Sequence, residues 1–437
     1  MFFITALVLY NPVELTNETK NGASMSTQTD LNKQIFGPFT VKTKYARRLL
    51  RDLSSFKYLF LSGSHAEFKN FFYSKTMVPT GEGSQKWLYY LTDYRKINKD
   101  PYNAPLPKYI EMETTTLCNK RCHICEYIYW PKDEQVKRHL TLDEFKHVVN
   151  QIPDLRWANL TGEGSSFLNK DYPLMLKYLS DKTKASIWLV DHLSDITQEQ
   201  LIQDVFPFVK GIYVSCDAAT KTTYESIKAG CNFDNVVANL RAIIDYKRRH
   251  KTPFPHLTFR YVILNNNMHE MPQFLDLLNS IAEAHEWGGS SSYVEFTGLL
   301  FFPEIEHYFV DEVPQVIIKE LLKRKGGIDF QFVHAEQKRN PPLERCDAWM
   351  EPYIMLPGYV LPCCSVMMSN RRPFLRQYSF GNVFEKDFKE LWRGDYYSRF
   401  RKTILDPCGA VPTLCVGCRA FQTQHRIDKY GIWDIHK

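Results

Sequence analysis

Three cysteines near the middle of the chain are spaced so that their thiols could meet at one metal centre. Cys118, Cys122 and Cys125 form a C-x3-C-x2-C pattern. A structural zinc site usually takes four ligands, and the nearest other cysteine is far away, at Cys216. A disulfide needs an oxidising compartment, which nothing in the sequence indicates. A four-iron four-sulfur cluster with three protein ligands is favoured, because it leaves one iron open to bind a substrate or cofactor.

A second group of cysteines lies near the C-terminus. Cys346 and Cys363 are spaced as C-x11-G-x4-C around Gly358, which predicts a β-hairpin with one ligand at each end. Cys415 and Cys418 form a C-x2-C pair further along the chain. Four thiolates complete the coordination of a metal centre, so this group predicts either a second iron–sulfur cluster or a zinc site.

The chain has 11 cysteines, so four lie outside these two groups. Cys216 and Cys231 are predicted to be core residues, since free cysteine packs as a small hydrophobe. Cys364 and Cys408 have three open interpretations: an alternative metal ligand, a buried hydrophobe or a hydrogen-atom donor. The sequence does not decide between these interpretations.

The elements that must position the first group follow an alternating pattern. From Lys108 onward, six strand patterns alternate with helix patterns, and Thr141 and Glu144 are spaced as a helix capping box. Such alternation predicts a parallel sheet with right-handed crossovers. Six units are fewer than the eight of a closed barrel, so we predict an α/β fold with a partial (β/α)6 TIM-like barrel. Ligand sites lie at the carboxyl ends of such strands, where the first cysteine loop falls.

Composition excludes several classes of protein. With 44 % hydrophobic and 24 % charged residues, the chain of 437 residues is too close to the globular average for wholesale disorder. The net charge of +6 is mild and spread along the chain, so we expect no nucleic-acid partner. No apolar run approaches the roughly 20 residues of a membrane span. The apolar opening MFFITALVLY lacks the basic region of a signal peptide, so we expect no membrane partner.

We predict three parts in the chain. An N-terminal extension of unknown role covers residues 1–105 and ends in a proline-rich linker. The partial barrel covers residues 106–310. A small α+β cysteine-rich domain covers residues 311–437, where the segment FGNVFEKDFKELWRGDYYSRFRKTIL predicts a short strand and one amphipathic helix.

The sequence CNKRCHIC, at the head of the β–α run, resembles the signature of the radical SAM superfamily. Three further segments occur in the order expected for that family and extend the resemblance to about Leu300. They are LTGEGSSFLNKD after the second strand, VSCDAATKTTYESIKAGCNFDNVVANL at the fourth strand and FRYVILNNNMHEMPQF at the fifth.

The resemblance implies a mechanism. Cys118, Cys122 and Cys125 would hold a four-iron cluster whose open iron chelates the amine and carboxylate of S-adenosylmethionine. One electron from the reduced cluster would break the sulfonium bond, and the resulting 5′-deoxyadenosyl radical would abstract hydrogen from the substrate. The backbone of Ile124 would lie near the adenine, while Ser215 and Asp217 have polar side chains suited to the ribose hydroxyls.

The methionine end of the cofactor would meet a second set of residues. Gly162 and Gly164 would let the backbone approach it, and Arg260 could pair with its carboxylate. The common family form of this segment is Gly-Glu-Pro, whose glutamate helps to hold the methionine amine. This chain has Ser165 at that position and Glu163 two residues earlier. We therefore expect Glu163 or backbone carbonyls to bind the amine.

The C-terminal cysteines, with nearby Gly-Asn and Leu-Trp pairs, resemble the SPASM/twitch region of radical SAM enzymes. The chain lacks the run of closely spaced cysteines that binds two auxiliary clusters in the full SPASM pattern. The resemblance therefore implies one auxiliary four-iron cluster, held by Cys346, Cys363, Cys415 and Cys418. With four protein thiolates it would have no open iron, so its role would be to accept an electron. That favours a net two-electron oxidation.

We expect a radical SAM oxidoreductase or peptide-modifying enzyme. A peptide is the first expected substrate, through modification or crosslinking. One alternative is dehydrogenation of a small metabolite such as an amino sugar, and another is a non-catalytic iron–sulfur electron-transfer protein. The expected electron donor is a flavodoxin or ferredoxin. Reduced thiols and oxygen-sensitive clusters imply a cytoplasmic location.

Overall fold

The structure is a computed structural model. It describes residues 93, 95–287, 292–299, 303–324, 327–333, 343, 346, 348–418 and 420–434. Most of the predicted N-terminal extension therefore lies outside the described residues.

The strands are numbered here in chain order. Their bounds are β1 Tyr109–Glu113, β2 Arg121–Cys122, β3 Trp157–Thr161, β4 Ser186–Asp191, β5 Val209–Ser215, β6 Lys228–Ala229, β7 His256–Ile263, β8 Tyr293–Gly298, β9 Asp329–Val333, β10 Tyr353–Met355, β11 Tyr359–Leu361, β12 Val411–Pro412 and β13 Ile432–Trp433.

The α-helices are numbered in the same way. Their bounds are α1 Arg95–Lys99, α2 Leu142–Asn150, α3 Tyr172–Lys182, α4 Gln198–Gln200, α5 Lys221–Ile227, α6 Phe233–His250, α7 Met271–Ile281, α8 Gln315–Lys323, α9 Ser365–Ser369, α10 Arg372–Tyr378, α11 Phe388–Arg393, α12 Asp395–Leu405 and α13 Gln424–Tyr430. A π-helical turn over Leu201–Val205 continues α4.

Nine of the described strands form one sheet, in the order β11-β10-β1-β3-β4-β5-β7-β8-β9. All neighbours are parallel except the β10–β11 hairpin. The six predicted strands are β1, β3, β4, β5, β7 and β8, which confirms the partial barrel. The sheet extends further than predicted, because β9 joins one edge and the C-terminal hairpin joins the other.

Local sequence explains why these elements form and how they pack. The predicted capping box is present: the Thr141 hydroxyl accepts from the backbone N–H of Glu144, whose carboxylate accepts from the N–H of Thr141. Strand β4 alternates, so that Ile187 and Leu189 are buried in the main core with apolar residues of the helices. Trp188 faces the other side of the sheet, toward the lumen of the barrel.

The C-terminal segment differs from its prediction in two respects. An isolated β-bridge between Asn382 and Tyr359 replaces the predicted short strand. Two helices, α11 and α12, replace the single predicted helix, and Gly394 lies between them in an extended conformation. A Cβ atom at Gly394 would lie 2.9 Å from the Glu390 carbonyl oxygen, so the chain turns tightly at this point. None of the described helices combines the length and apolar composition needed to cross a membrane.

Candidate active site

The first cysteine loop lies at the carboxyl end of β1, as the sequence predicts. Strand β2, which contains Cys122, pairs antiparallel with β6. The backbone N–H of His123 donates to the Ile227 carbonyl at 2.9 Å, and that of Cys125 donates to the Cys122 carbonyl at 3.0 Å. These bonds fix the loop against the chain that follows the fourth barrel strand.

The three thiols of this loop lie within electrostatic reach of one another. Burial, with smaller contributions from charges on Cys122, Glu163 and Cys118, raises the pKa of Cys125 to about 12. Burial also raises the pKa of Cys118, with Cys122 adding to the effect. A hydrogen bond with Cys231 lowers the pKa of Cys122 to about 6. One thiol of the group is therefore already biased toward the thiolate that a metal requires.

These donors suit a cluster better than a single ion. The loop supplies three thiols, whereas a structural zinc site usually takes four ligands. In a four-iron cluster each thiolate binds a different iron, so the sulfurs stand farther apart than they do around one ion. The loop therefore fits the predicted cluster, while the assignment of Cys118, Cys122 and Cys125 as its ligands stays a prediction.

Lys228, which sequence reasoning missed, lies at the centre of the polar contacts beside this loop. Its ammonium group donates to the Ser215 hydroxyl at 2.8 Å and forms a buried ion pair with Asp217 at 2.8 Å. Its charge also lowers the pKa of Cys122. The structure thus brings the two predicted ribose residues together. The Asp217 carboxylate also accepts from the backbone N–H of Val262, so it is engaged inside the protein.

Close packing explains the two glycines of the second segment. A Cβ atom on Gly162 would lie 2.7 Å from the Glu113 side chain. A Cβ atom on Gly164 would lie 2.5 Å from the Thr115 carbonyl oxygen and 2.6 Å from that of Leu117. The glycine-rich segment therefore packs directly against the chain that leads into the cysteine loop. That Gly162 and Gly164 let the backbone approach the cofactor stays a prediction.

Glu163 does not stand alone at this site, because Arg372 binds it at 2.8 Å. Arg372 also forms a bidentate pair with Glu113, at 2.7 and 2.5 Å. Burial raises the pKa of Glu163 to about 7, and Arg372 opposes this shift. Arg372 belongs to α10 in the C-terminal region, which explains why no local motif could reveal it. Ser165, two residues after Glu163, is buried, and its hydroxyl has no hydrogen-bond partner among the described residues.

Ile124 packs into a small apolar cluster at the mouth of the barrel. The buried members of that cluster are Ile227, Leu264, Leu299 and Ile305. This apolar surface beside the cysteine loop is compatible with the predicted position of an adenine ring, which stays a prediction.

The lumen of the barrel is built in layers. Its lower layer is aromatic: Tyr109 stacks on Trp157 with ring centroids 3.4 Å apart, and Trp188 lies 4.9 Å from Tyr213. Because side chains alternate along a strand, Glu111 and Glu113 of β1 face the same side as Tyr109. The upper layers of the lumen are therefore polar.

The layer next to the aromatic one contains Glu111, Arg260 and Glu295 and is called the middle layer of the lumen. The Arg260 guanidinium stacks over the ring of Tyr213 at 4.1 Å and pairs with Glu295 at 3.4 Å. Its charge also lowers the pKa of Glu111, which burial raises. Arg260 and Glu163 are thus held by different partners, and the predicted contact of Arg260 with the cofactor carboxylate stays a prediction.

Glu111 is the most enclosed carboxylate of the middle layer. It is hydrogen-bonded to the side chains of Cys364 and Asn159. Asn159 is 95 % buried, since only 5 % of its surface is exposed, and its amide oxygen has no partner among the described residues. A substrate N–H or O–H could occupy that acceptor, because a buried polar atom without a partner is costly.

The second group of thiols comes together from distant parts of the chain. The predicted hairpin is present, with Gly358 at a φ of +109° in its turn, and Cys363 follows its second strand. Burial holds the pKa of Cys363 well above its usual range, and charges on Cys346, Cys415 and Cys418 add to this. The four predicted ligands are therefore neighbours in the fold.

The remaining cysteines divide into two kinds. Cys364 turns away from the four-thiol group toward Glu111, and Cys408 is exposed and accepts a hydrogen bond from Tyr430 at 3.5 Å. Cys216 and Cys231 are buried, as expected. Cys231 also hydrogen-bonds to the Cys122 thiol, so it has a role beyond packing.

Comparison with known proteins places these observations in a family. Residues 346–419 match the family model of the SPASM domain, an iron–sulfur cluster-binding domain. A tungsten-containing aldehyde ferredoxin oxidoreductase cofactor-modifying protein of Pyrococcus furiosus is 22 % identical over 343 residues, which cover 71 % of this chain and 91 % of the relative. Residues 346–419 therefore form a SPASM domain, in agreement with the resemblance found in the sequence.

Solved structures show the same fold. SuiB of Streptococcus suis bound to S-adenosylmethionine is 13 % identical, with a TM-score of 0.51 over 75 % of this chain and 74 % of SuiB. A second structure of SuiB gives a TM-score of 0.50 over 75 % of this chain and 73 % of SuiB. At this identity the likeness bears on the fold alone.

Of the expected cofactors, the SPASM match supports an auxiliary iron–sulfur cluster. The four-iron cluster at the barrel and S-adenosylmethionine are the other cofactors that the sequence resemblance implies. The SPASM match falls inside the predicted domain of residues 311–437. The predicted domain boundaries stay predictions.

Proposed function

We propose that this protein cleaves S-adenosylmethionine reductively at the first cysteine loop and carries out a net two-electron oxidation of a substrate in the barrel lumen. One observation carries the proposal. The fold gathers two separate thiol groups, three in the loop after β1 and four in the SPASM domain, and Cys364 of that domain contacts Glu111 in the polar lumen. Three thiolates leave an iron open for a cofactor, whereas four leave none.

The chain's own residues prepare the cofactor site. When bound, the cluster and S-adenosylmethionine together supply a radical that removes hydrogen from the substrate. Cys118, Cys122 and Cys125 would hold the cluster, and Glu163 would receive the methionine ammonium group. The apolar cluster around Ile124 would cover the adenine and exclude water. These roles agree with the positions of the residues around one loop.

Glu111 is our candidate for the group that accepts a proton from the substrate. An oxidation that removes one hydrogen atom and one electron from a C–H and O–H or N–H pair also releases one proton. Glu111 faces the lumen, and burial raises its pKa, which makes its carboxylate a better proton acceptor than an exposed one. Asn159 would hold the substrate through its unpartnered amide oxygen.

The SPASM domain would take the electron. Cys363 belongs to the four-thiol group, and the next residue, Cys364, contacts Glu111 in the lumen. Adjacent residues therefore connect the proposed proton acceptor with the proposed auxiliary cluster. A flavodoxin or ferredoxin would supply the electron that starts the reaction.

Two substrate classes follow from different observations. A peptide is the expectation from the sequence resemblance. A small molecule is favoured by the relative from Pyrococcus furiosus, which is named for modifying a cofactor. The middle layer contains Glu111, Glu295 and one cation, Arg260. This excess of acceptors suits a substrate part rich in N–H or O–H donors, in either class.

Anaerobic reduction with dithionite in the presence of S-adenosylmethionine tests the proposal. We expect 5′-deoxyadenosine and methionine in equal amounts, and none from Cys122→Ala. A protein with both clusters intact that releases no 5′-deoxyadenosine would instead support the non-catalytic electron-transfer alternative. Mass spectrometry of peptides and of amino sugars incubated with the reduced protein would then separate the two substrate classes, through a loss of two hydrogen atoms.

A further inference from the structure

Two carboxylates and one guanidinium form a buried group between the barrel and the SPASM domain. Glu113 and Arg372 are almost fully buried, with side-chain exposures of 0 % and 3 %, and Glu163 is exposed by 15 %. Arg372 binds both oxygens of Glu113 and, at 2.8 Å, one oxygen of Glu163. This is a shared ion pair with unequal numbers of charges.

The charges of this group do not balance. Two ionised carboxylates face one guanidinium, and no other ion pair reaches Glu113 or Glu163 among the described residues. A buried charge without a partner is unfavourable, so Glu163 either takes up a proton, as its pKa of about 7 allows, or pairs with a second cation. The charge of Glu163 reaches the Cys125 thiol, which locates the excess beside the first cysteine loop.

Arg372 is held from several directions. It belongs to α10 of the C-terminal region, and its guanidinium lies 5.7 Å from the ring of Trp130, just after the cysteine loop. The backbone N–H of Leu356, in the C-terminal hairpin, donates to the same Glu113 carboxylate at 2.9 Å. The C-terminal region thus supplies two donors to the Glu113 carboxylate of β1, the Arg372 guanidinium and the Leu356 N–H. The guanidinium also binds Glu163.

We propose that Arg372 is a positioning residue for S-adenosylmethionine: it orients the carboxylate of Glu163 to receive the cofactor's ammonium group. The inference rests on the proposed function. An ammonium group carries three N–H donors and one positive charge, which matches the uncompensated carboxylate. The SPASM domain thereby takes part in cofactor binding, and Glu163 serves in place of the residue that is Ser165 in this chain.

Binding of S-adenosylmethionine to the protein with both clusters tests the proposal, measured through the change in the electron paramagnetic resonance spectrum of the reduced cluster. We expect Glu163→Gln and Arg372→Met each to raise the Kd roughly tenfold or more, since each removes or releases a buried charge. Arg372→Lys should restore part of the affinity. Combining Glu163→Gln with Arg372→Met should add little, because both act on one interaction.

Arg376→Met is the matched control. Arg376 lies one turn further along α10 and donates to the Glu134 carbonyl at 3.2 Å, so it also joins the two parts of the chain without contacting the carboxylates. We expect its Kd to stay within about twofold of the wild type, as for a contact that does not involve the site.

Amide hydrogen exchange gives a readout that a merely structural arginine would not change. S-adenosylmethionine should slow exchange in α10 of the wild type and of Arg376→Met, but not of Glu163→Gln. Unchanged affinity in both Glu163→Gln and Arg372→Met, with both clusters retained, overturns the proposal. Should Arg372→Met fail to fold, Glu163→Gln decides alone, because it keeps the Arg372–Glu113 pair. A wild type that cleaves S-adenosylmethionine while these variants bind it normally defeats this inference but leaves the proposed function standing.

Discussion

The two thiol groups of this protein are assembled in opposite ways. The three thiols at the barrel mouth come from one loop of eight residues, which a short β ladder holds in place. The four thiols of the SPASM domain come from positions between Cys346 and Cys418, and the chain must fold before they meet. The first group is organised locally and the second by tertiary structure.

This difference predicts how each site depends on its metal. Metal binding contributes to folding where the ligands are brought together only in the folded chain. Burial holds the pKa of Cys363 and Cys415 well above the usual range, so enclosing their thiolates without iron is unfavourable. The SPASM domain should therefore need its cluster for stability, whereas the barrel loop should keep its shape without one.

The largest expected effect is the loss of cofactor cleavage in Cys122→Ala. This change removes one of the three thiols proposed to hold the cluster with an open iron, so no 5′-deoxyadenosine should form. Iron content should fall by about half, from about eight to about four atoms per chain. The auxiliary cluster and the thermal unfolding temperature of the SPASM domain should be retained. If Cys122→Ala kept iron at this loop and still cleaved S-adenosylmethionine, the assignment of Cys122 as a cluster ligand would be contradicted.

Cys415→Ala should have the complementary effect. It should also lower iron content to about four atoms per chain, while 5′-deoxyadenosine still forms and oxidised product does not. Because the four thiols support the domain, limited proteolysis should cut the region after Gly358 faster than in the wild type. Continued product formation without the auxiliary cluster would rule out its role as electron acceptor.

In the cluster-free protein, the contribution of Cys122 to stability should depend on pH in the opposite way from those of Cys363 and Cys415. The pKa of Cys363 and Cys415 is raised on folding, so the unfolded chain loses these protons first and stability falls as pH rises above about 8.5. The pKa of Cys122 is lowered to about 6, so its contribution is present above about 8.5 and is lost as pH falls toward 6.

Anaerobic thermal unfolding of the cluster-free protein between pH 6 and pH 10 measures both slopes. Cys363→Ser should reduce the loss of stability with rising pH by up to about 1.4 kcal/mol per pH unit. Cys122→Ser should reduce the loss of stability as the pH falls. Cys231→Ala should act like the second variant, because the hydrogen bond from Cys231 is the main cause of the lowered pKa. If Cys122→Ser and Cys363→Ser changed the slope of stability against pH in the same direction, this difference would be contradicted.

The smallest effects on iron content should come from Cys364→Ser and Cys408→Ser. Both residues lie outside the four-thiol group, one facing Glu111 and the other exposed. Iron content should not change in either variant. The free energy of unfolding should change by no more than about 0.5 kcal/mol for Cys408→Ser, as is usual for an exposed position. Iron loss in either variant would place it among the ligands instead.

Much of the barrel could be predicted because its signals are local. The six strands carry recognisable apolar patterns, the helix after β1 begins at the predicted capping box, and the Gly358 turn marks the hairpin. The sequence spacing also grouped cysteines whose thiols lie within electrostatic reach of one another in the fold, and their role as ligands stays a prediction.

The rest depends on contacts between distant residues. Lys228 joins Ser215 and Asp217 only because β6 folds back onto the cysteine loop. Arg372 contacts Glu113 although the two residues are far apart in the sequence, and no spacing rule connects them. The break between α11 and α12 depends on a tight turn at Gly394, which an amphipathic pattern does not register.

The C-terminal hairpin is a continuation of the barrel sheet, because β10 hydrogen-bonds directly to β1. The rate of electron tunnelling falls steeply with the distance between donor and acceptor. In this fold, backbone hydrogen bonds rather than a flexible tether join the barrel to the C-terminal hairpin. The two redox centres of the proposed enzyme would therefore keep one separation throughout the catalytic cycle, and no swing of a domain would be needed to bring them into contact.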